Sequence, residues 1–101
     1  MMTISGDLRG KRFAFEMEFD PAFNADARLL DFLQKGKLYE PEVTAVFGRV
    51  SRPGDVVIDV GANVGWFTLL AASLVGPGGK VVVCEPGPDN LAKLQANIDR
   101  S

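Results

Sequence analysis

The strongest constraint on the fold is a glycine-punctuated block in the second half of the chain. Val56-Val57-Ile58 is a continuous β-branched run after a Pro53-Gly54-Asp55 turn, the pattern of a strand buried on both faces of a parallel sheet. The apolar segment from Val64 to Val75 is long enough for a helix, and Gly76-Pro77-Gly78-Gly79 ends it. Lys80 to Cys84 then reads as a second buried strand. After Gly87-Pro88, the residues Leu91, Leu94 and Ile98 recur at i, i+3 and i+7, which predicts a helix over roughly the last dozen residues. A β-α-β-α unit of this kind closes by a right-handed crossover, so the carboxyl ends of both strands meet at one crevice.

The first half has a different character, with the change near Arg52-Pro53-Gly54. Phe13, Phe15, Met17 and Phe19 alternate with Ala14, Glu16 and Glu18, the period of a strand buried on one face, and a short strand near Thr3 to Ser5 is its expected hairpin partner. Asp26 opens a helical segment carrying Leu29, Leu30 and Leu33, with Gly36 placed for a left-handed stop. Pro41 starts another, in which Val43, Val46, Phe47 and Val50 form a stripe expected to pack on an apolar surface. The expected organisation is a hairpin and helical segment over 1–52, followed by the β-α-β-α unit over 53–101. No internal repeat interrupts it.

A chain of 101 residues suits one small domain and is too short for two. At 47% hydrophobic and 24% charged residues, it has material for a core and is unlike a disordered tract. Eleven Lys and Arg against thirteen Asp and Glu give a net charge of −2, with no cationic surplus for nucleic acid or an anionic membrane. The apolar runs fall far short of the roughly 20 residues that span a bilayer. One cysteine forms no internal disulfide, and a reducing cytoplasm is the expected setting. The absence of histidine excludes His-dependent triads, and with a single cysteine it leaves no usual zinc cluster, so no metal site is expected.

Chemistry concentrates at Asp59-Val60-Gly61-Ala62-Asn63-Val64-Gly65, where the first strand of the unit turns into its helix. Glycines there allow a tight turn and close approach of a ligand, and amides at a helix start favour an anionic group, so a nucleotide-like cofactor is the expected occupant. Aligning the dinucleotide fingerprint on Gly61 puts Asn63 and Trp66 where it requires glycine, which counts against a nicotinamide cofactor. No Lys-Ser or Lys-Thr follows the turn, so a phosphate loop is not indicated either.

The string D-V-G-A-N-V-G-W-F-T resembles motif I of class I S-adenosylmethionine-dependent methyltransferases, and in particular the FkbM type, where Asn at the position of Asn63 is usual. The likeness runs from about Tyr39 to Ile98, through Y-E-P, P-G-D-V-V-I-D-V-G-A-N-V-G, V-G-P-G-G-K-V-V-V-C-E-P-G-P and L-A-K-L-Q-A-N-I. It implies an α/β Rossmann-like class I methyltransferase fold, here incomplete, with the β-α-β-α unit preceded by a hairpin and two helices. It also implies S-adenosyl-L-methionine as cofactor and methyl transfer to a hydroxyl oxygen of a small molecule or carbohydrate.

Asp59, Gly61, Ala62, Asn63, Gly65, Glu85 and Pro86 are the implied cofactor-binding residues. Asp59 could attract the cofactor's ammonium while amides around Gly61 to Gly65 approach its carboxylate. Glu85, at the end of the second strand, lies near the separation at which a Rossmann-type carboxylate accepts ribose hydroxyls, and Pro86 would border the adenine.

Other residues have more than one reading. Tyr39 and Glu40 precede a Pro-started helix, where Glu40 either complements the helix dipole or touches the cofactor. Trp66 and Phe67 pack the helix against the sheet, with one able to border the cofactor. Cys84 is expected to be a buried packing residue, and Lys93, Asp99 and Arg100 a solvated helix face. Two parallel strands are few for a doubly wound sheet. The chain is therefore expected to be the amino-terminal part of a larger domain, inactive alone, with a sheet edge open to self-association. A nicotinamide-dependent oxidoreductase and a non-catalytic interaction module on the same fold are the alternatives.

Overall fold

The computed structural model describes residues 2–20, 22 and 24–99. Strands β1 (Met2–Leu8) and β2 (Lys11–Met17) form an antiparallel hairpin, with Ile4 opposite Phe15 and Leu8 opposite Lys11. The hairpin turns at Arg9 and Gly10, both with positive φ, as a two-residue loop matching the strand twist requires. Helices α1 (Asn24–Gln34) and α2 (Pro41–Val50) follow. Strand β3 (Val56–Val60), helix α3 (Trp66–Val75), strand β4 (Lys80–Cys84) and helix α4 (Pro88–Asp99) complete the order. β3 and β4 pair in parallel from Val56 with Lys80 to Val60 with Cys84. The expected β-α-β-α unit is present, and the expected short first strand runs the whole length of its partner.

Helix α3 is the centre of the molecule. Trp66, Leu69, Leu70, Ala71, Leu74 and Val75 are all buried, because one side of the helix meets the hairpin and another meets the parallel pair. The alternating face of β2 delivers Phe13, Phe15 and Met17 into this core, where Phe15 meets Trp66 edge to face at 5.3 Å. Residues from both sequence halves therefore share one core.

Four expectations fail here. β3 and β4 are covered on one face only: Asp59 faces α3, which donates to it from Thr68, while Val56, Ile58 and Val60 are 66%, 67% and 78% exposed. A β-branched run reports strand tendency and cannot say how many layers cover it. Cys84 shares that outward alternation and is exposed rather than packed. On α2, Val43, Val46 and Val50 remain open, and the inward face is made of Thr44, Phe47 and Gly48, with Ser51 following the helix. On α4, Lys93 is no solvated charge, since its ammonium lies 2.6 Å from the fully buried Asp26 of α1. Arg100 lies outside the described residues.

Gly48 explains the rotation of α2. A Cβ there would stand 2.6 Å from the Cβ of Leu8, so only glycine lets the helix approach β1 this closely. Gly48→Ala gains up to about 1 kcal/mol in helix propensity. Overpacking against an anchored strand typically costs about 1–3 kcal/mol. A net loss in urea unfolding is expected, and a gain in stability would show that α2 is not seated against β1.

Candidate functional site

The two βα turns of the parallel unit are joined to each other. The N–H groups of Gly61 and Ala62 both donate to the carbonyl of Cys84, at 2.8 and 3.2 Å. Glu85 completes the link: its Oε1 accepts the Asn63 N–H at 2.7 Å and its Oε2 accepts the Gly87 N–H at 2.9 Å. These amides, that of Gly87 foremost, hold the Glu85 carboxyl below its ordinary value. The Asn90 side chain is a further donor to the same carboxylate. Gly61 has φ +73°, and no atom stands within 4 Å of where its Cβ would be, so the turn is open on that side.

A cavity of about 160 Å³ opens beside this turn, lined by Gly61, Ala62, Asn63 and Val64, by Trp66 and Phe67 of α3, and by Arg28, Leu29, Tyr39 and Glu40. A chain of contacts sets its aromatic wall. The Trp66 indole N–H donates to Thr44 Oγ1 at 3.2 Å, and the Thr44 hydroxyl donates to the Tyr39 carbonyl at 2.6 Å. The Tyr39 ring lies 6.1 Å from that of Trp66 and 5.9 Å from that of Phe67. Burial pushes the Tyr39 phenol above its ordinary pKa, and the neighbouring Glu40 carboxylate adds to the shift, so the hydroxyl stays protonated.

Of the residues singled out from sequence, Gly61, Ala62 and Asn63 line the cavity, and Glu85 is tied to it through the Asn63 amide. Gly65 is the N-cap of α3, with φ 110°. Pro86 is exposed and is not among the cavity-lining residues. Asp59 is not among them either: its Oδ2 accepts the Thr68 hydroxyl at 2.6 Å, on the α3 side of the sheet. Four of the five amides expected to receive an anion are engaged, since that of Gly65 donates to the Ala62 carbonyl at 3.1 Å and those of Gly61, Ala62 and Asn63 are bonded as above.

Sequence reasoning missed two supports. Thr44 is buried and carries the bonds just described. Asn97, also buried, donates from Nδ2 to the Val64 carbonyl at 2.8 Å and accepts the Glu18 N–H at 3.1 Å, tying the turn to the end of the hairpin. Their signal is a polar residue at a helix position that faces inward, visible only once the inward face is known. Among the described residues, no cluster of potential ligands could hold a metal ion and no helix is long and apolar enough to cross a membrane.

Compared with known proteins, the chain is 55% identical over 49 residues to a 31-O-demethyl-FK506 methyltransferase, FkbM, of Streptomyces tacrolimicus, a stretch covering 48% of this chain and 18% of that protein. It is 41% identical over 64 residues to the AMB antimetabolite synthetase AmbE of Pseudomonas aeruginosa, covering 63% of this chain and 3% of that protein. It is 35% identical over 49 residues to an arsenite methyltransferase of Halobacterium salinarum, covering 48% of this chain and 12% of that protein. The matched stretches thus span less than a fifth of these relatives. No family model and no solved structure matches. The chain is similar to methyltransferases acting on chemically unrelated acceptors, over a stretch about as long as the β-α-β-α unit.

Proposed function

We propose that the chain carries the S-adenosylmethionine-binding half of a methyltransferase of the FkbM type, which passes the cofactor's methyl group to a hydroxyl oxygen of a small molecule or carbohydrate. The observation that carries this reading is the junction of the two βα turns at Glu85, beside a cavity whose floor is Gly61 to Val64. Similarity to methyltransferases of unlike acceptors supports it, because what such enzymes have in common is the methyl donor.

The residues present fit that donor. Asn63 lines the cavity, with its backbone held by Glu85. Gly61 leaves room for close approach, and the acceptor capacity that the Glu85 carboxylate keeps beside its bonds to Asn63, Gly87 and Asn90 suits a ribose hydroxyl. When bound, S-adenosylmethionine supplies an electrophilic sulfonium methyl group. The chain's part is to orient that group and keep water from it, with Tyr39, Trp66 and Phe67 as the apolar wall, so positioning is its main contribution to rate. A cytoplasmic setting accords with such a cofactor.

Calorimetric titration tests the reading. S-adenosylmethionine is expected to bind saturably and to be displaced by S-adenosylhomocysteine but not by NAD. Gly61→Val, which places a β-branched side chain in left-handed backbone and in the open approach, is expected to weaken binding about tenfold or more. Preference for NAD would favour the oxidoreductase alternative, and binding of neither nucleotide would favour the interaction module.

A further inference from the structure

We infer that the outer edge of β1 is where two copies of this chain pair, strand against antiparallel strand, about a two-fold axis at Ser5. In an antiparallel ladder, opposed residues alternate between pairs that exchange both main-chain bonds and pairs whose N–H and C=O groups point away from each other. The Ala14 N–H donates to Ser73 Oγ at 3.0 Å, away from β1, and the Glu18 N–H, just past the strand, donates to Asn97 Oδ1 at 3.1 Å. Ser5–Ala14 is therefore a pair of the second kind, and so are Thr3–Glu16 and Asp7–Arg12, two residues to either side. The main-chain groups of Thr3, Ser5 and Asp7 consequently face the outer edge of β1. All three residues are exposed, and among the described residues no bond is made to those groups.

The other edge of the hairpin, that of β2, is closed by the side chains of Ser73 and Asn97, whereas β1 carries none of the usual guards: no Lys, no Pro and no bulge interrupts Met2–Leu8. A second copy fits this edge because the strand is complementary to itself. The antiparallel register centred on Ser5 uses all three outward residues, setting Ser5 against Ser5 and Thr3 against Asp7 of the second copy. Each Asp7 keeps Arg12 of its own β2 on one side and gains a hydroxyl on the other, so no like charges are opposed. On the inward face the exposed Met2 meets Leu8, and Ile4 meets Gly6, across which the Phe13 ring leans so closely that a Cβ at Gly6 would stand 3.0 Å from it. A seam of two seven-residue strands is smaller than a standard interface, so the dimer is a reversible one with a micromolar dissociation constant. None of the residues lining the cavity beside Gly61 lies on β1, so the pairing is independent of the cofactor reading.

Sedimentation equilibrium of the 101-residue chain from about 5 to about 500 μM is expected to show a monomer–dimer equilibrium. Amide exchange at Thr3, Ser5 and Asp7 is expected to slow as the concentration rises, while that of Ile4 and Gly6, already bonded to β2, stays constant. Ser5→Pro removes the central N–H without touching a bond between β1 and β2, and is expected to weaken the dimer roughly tenfold or more with cooperative thermal unfolding retained. Two substitutions test the register and decide the matter should Ser5→Pro fail to fold. Thr3→Asp sets like charges opposite each other and is expected to weaken the dimer severalfold, whereas Thr3→Lys, facing Asp7 of the second copy, is expected to tighten it by a similar factor. A dimer that neither Ser5→Pro nor the two Thr3 changes affect overturns the proposal, as does one that Ile58→Lys, on the outward face of β3, dissociates instead. A chain that stays monomeric to the top of that range also overturns it and leaves the edge to a strand of another protein.

Discussion

Replacing Lys93 by methionine is expected to destabilise the protein by about 3–5 kcal/mol, the usual cost of removing one partner of a buried ion pair. Asp26 is fully buried, and its Oδ2 accepts both the Lys93 ammonium at 2.6 Å and the Asp20 N–H at 2.7 Å, while its Oδ1 has no partner. Without Lys93 the carboxylate keeps its desolvation cost and loses its counter-charge. Asp26→Asn should cost less, because Lys93 is partly exposed and water can reach its ammonium. The double change Asp26→Leu with Lys93→Met should recover most of the loss, since an apolar pair of similar volume is often as stable as a buried salt bridge. Urea unfolding of the wild type, Asp26→Leu, Lys93→Met and the double variant gives the coupling directly. A Lys93→Met loss below about 1 kcal/mol would mean that the pair behaves as a surface contact. The pair matters to the site because it ties α4 to α1, and α1 carries Arg28 and Leu29 over the cavity.

That pair also shows where sequence reading stops. The order of elements was legible because each rests on local pattern: alternation in β2, β-branched runs in β3 and β4, and the Gly76-Pro77-Gly78-Gly79 stop after α3. Which face each element turns inward is a tertiary matter. The valine stripe of α2 has the helical period of a buried face, yet Gly48 and Thr44 win that position because close approach to Leu8 and a bond to Trp66 need a small and a polar residue there. Lys93 lies on a polar helix face, and nothing in its neighbourhood names Asp26 as its partner.

The candidate site divides in the same way. Gly61, Ala62, Asn63 and Glu85 were legible because a βα turn and a strand end have fixed places in a parallel unit, and the crossover brings them together. Asp59 carried the acidic signal of the motif, but strand alternation from the outward Ile58 and Val60 turns its side chain to α3, where Thr68 holds it. The carboxylate that does line the cavity, Glu40, comes from the first half of the chain, and sequence alone left it balanced between capping a helix and touching a ligand. Its left-handed backbone and missing capping bond are conformational facts with no local signature.

Glu85→Ala is expected to have the largest effect on binding, because it removes both the acceptors for a ribose and the link between the two turns. With the side chain gone, the amides of Asn63 and Gly87 lose their partners and the turn at Gly61 is held to β4 only through the Cys84 carbonyl. Glu85→Gln is the sharper probe. Its carbonyl can satisfy one amide, but its NH₂ would point at the other N–H, so binding of S-adenosylhomocysteine should fall roughly tenfold to a hundredfold with the fold retained. Acid should mimic this change in the wild type. Because the amides lower the Glu85 pKa, the link is fully present above the ordinary carboxyl value of 4.5 and is lost as pH falls through the lower, folded value. Affinity for a nucleoside ligand should therefore change little from neutrality down to about pH 5 and decline only at more acid pH, while the Gln variant shows no such step. Equal affinity of the wild type and Glu85→Gln at neutral pH would remove Glu85 from the binding site and leave it as a link between two turns.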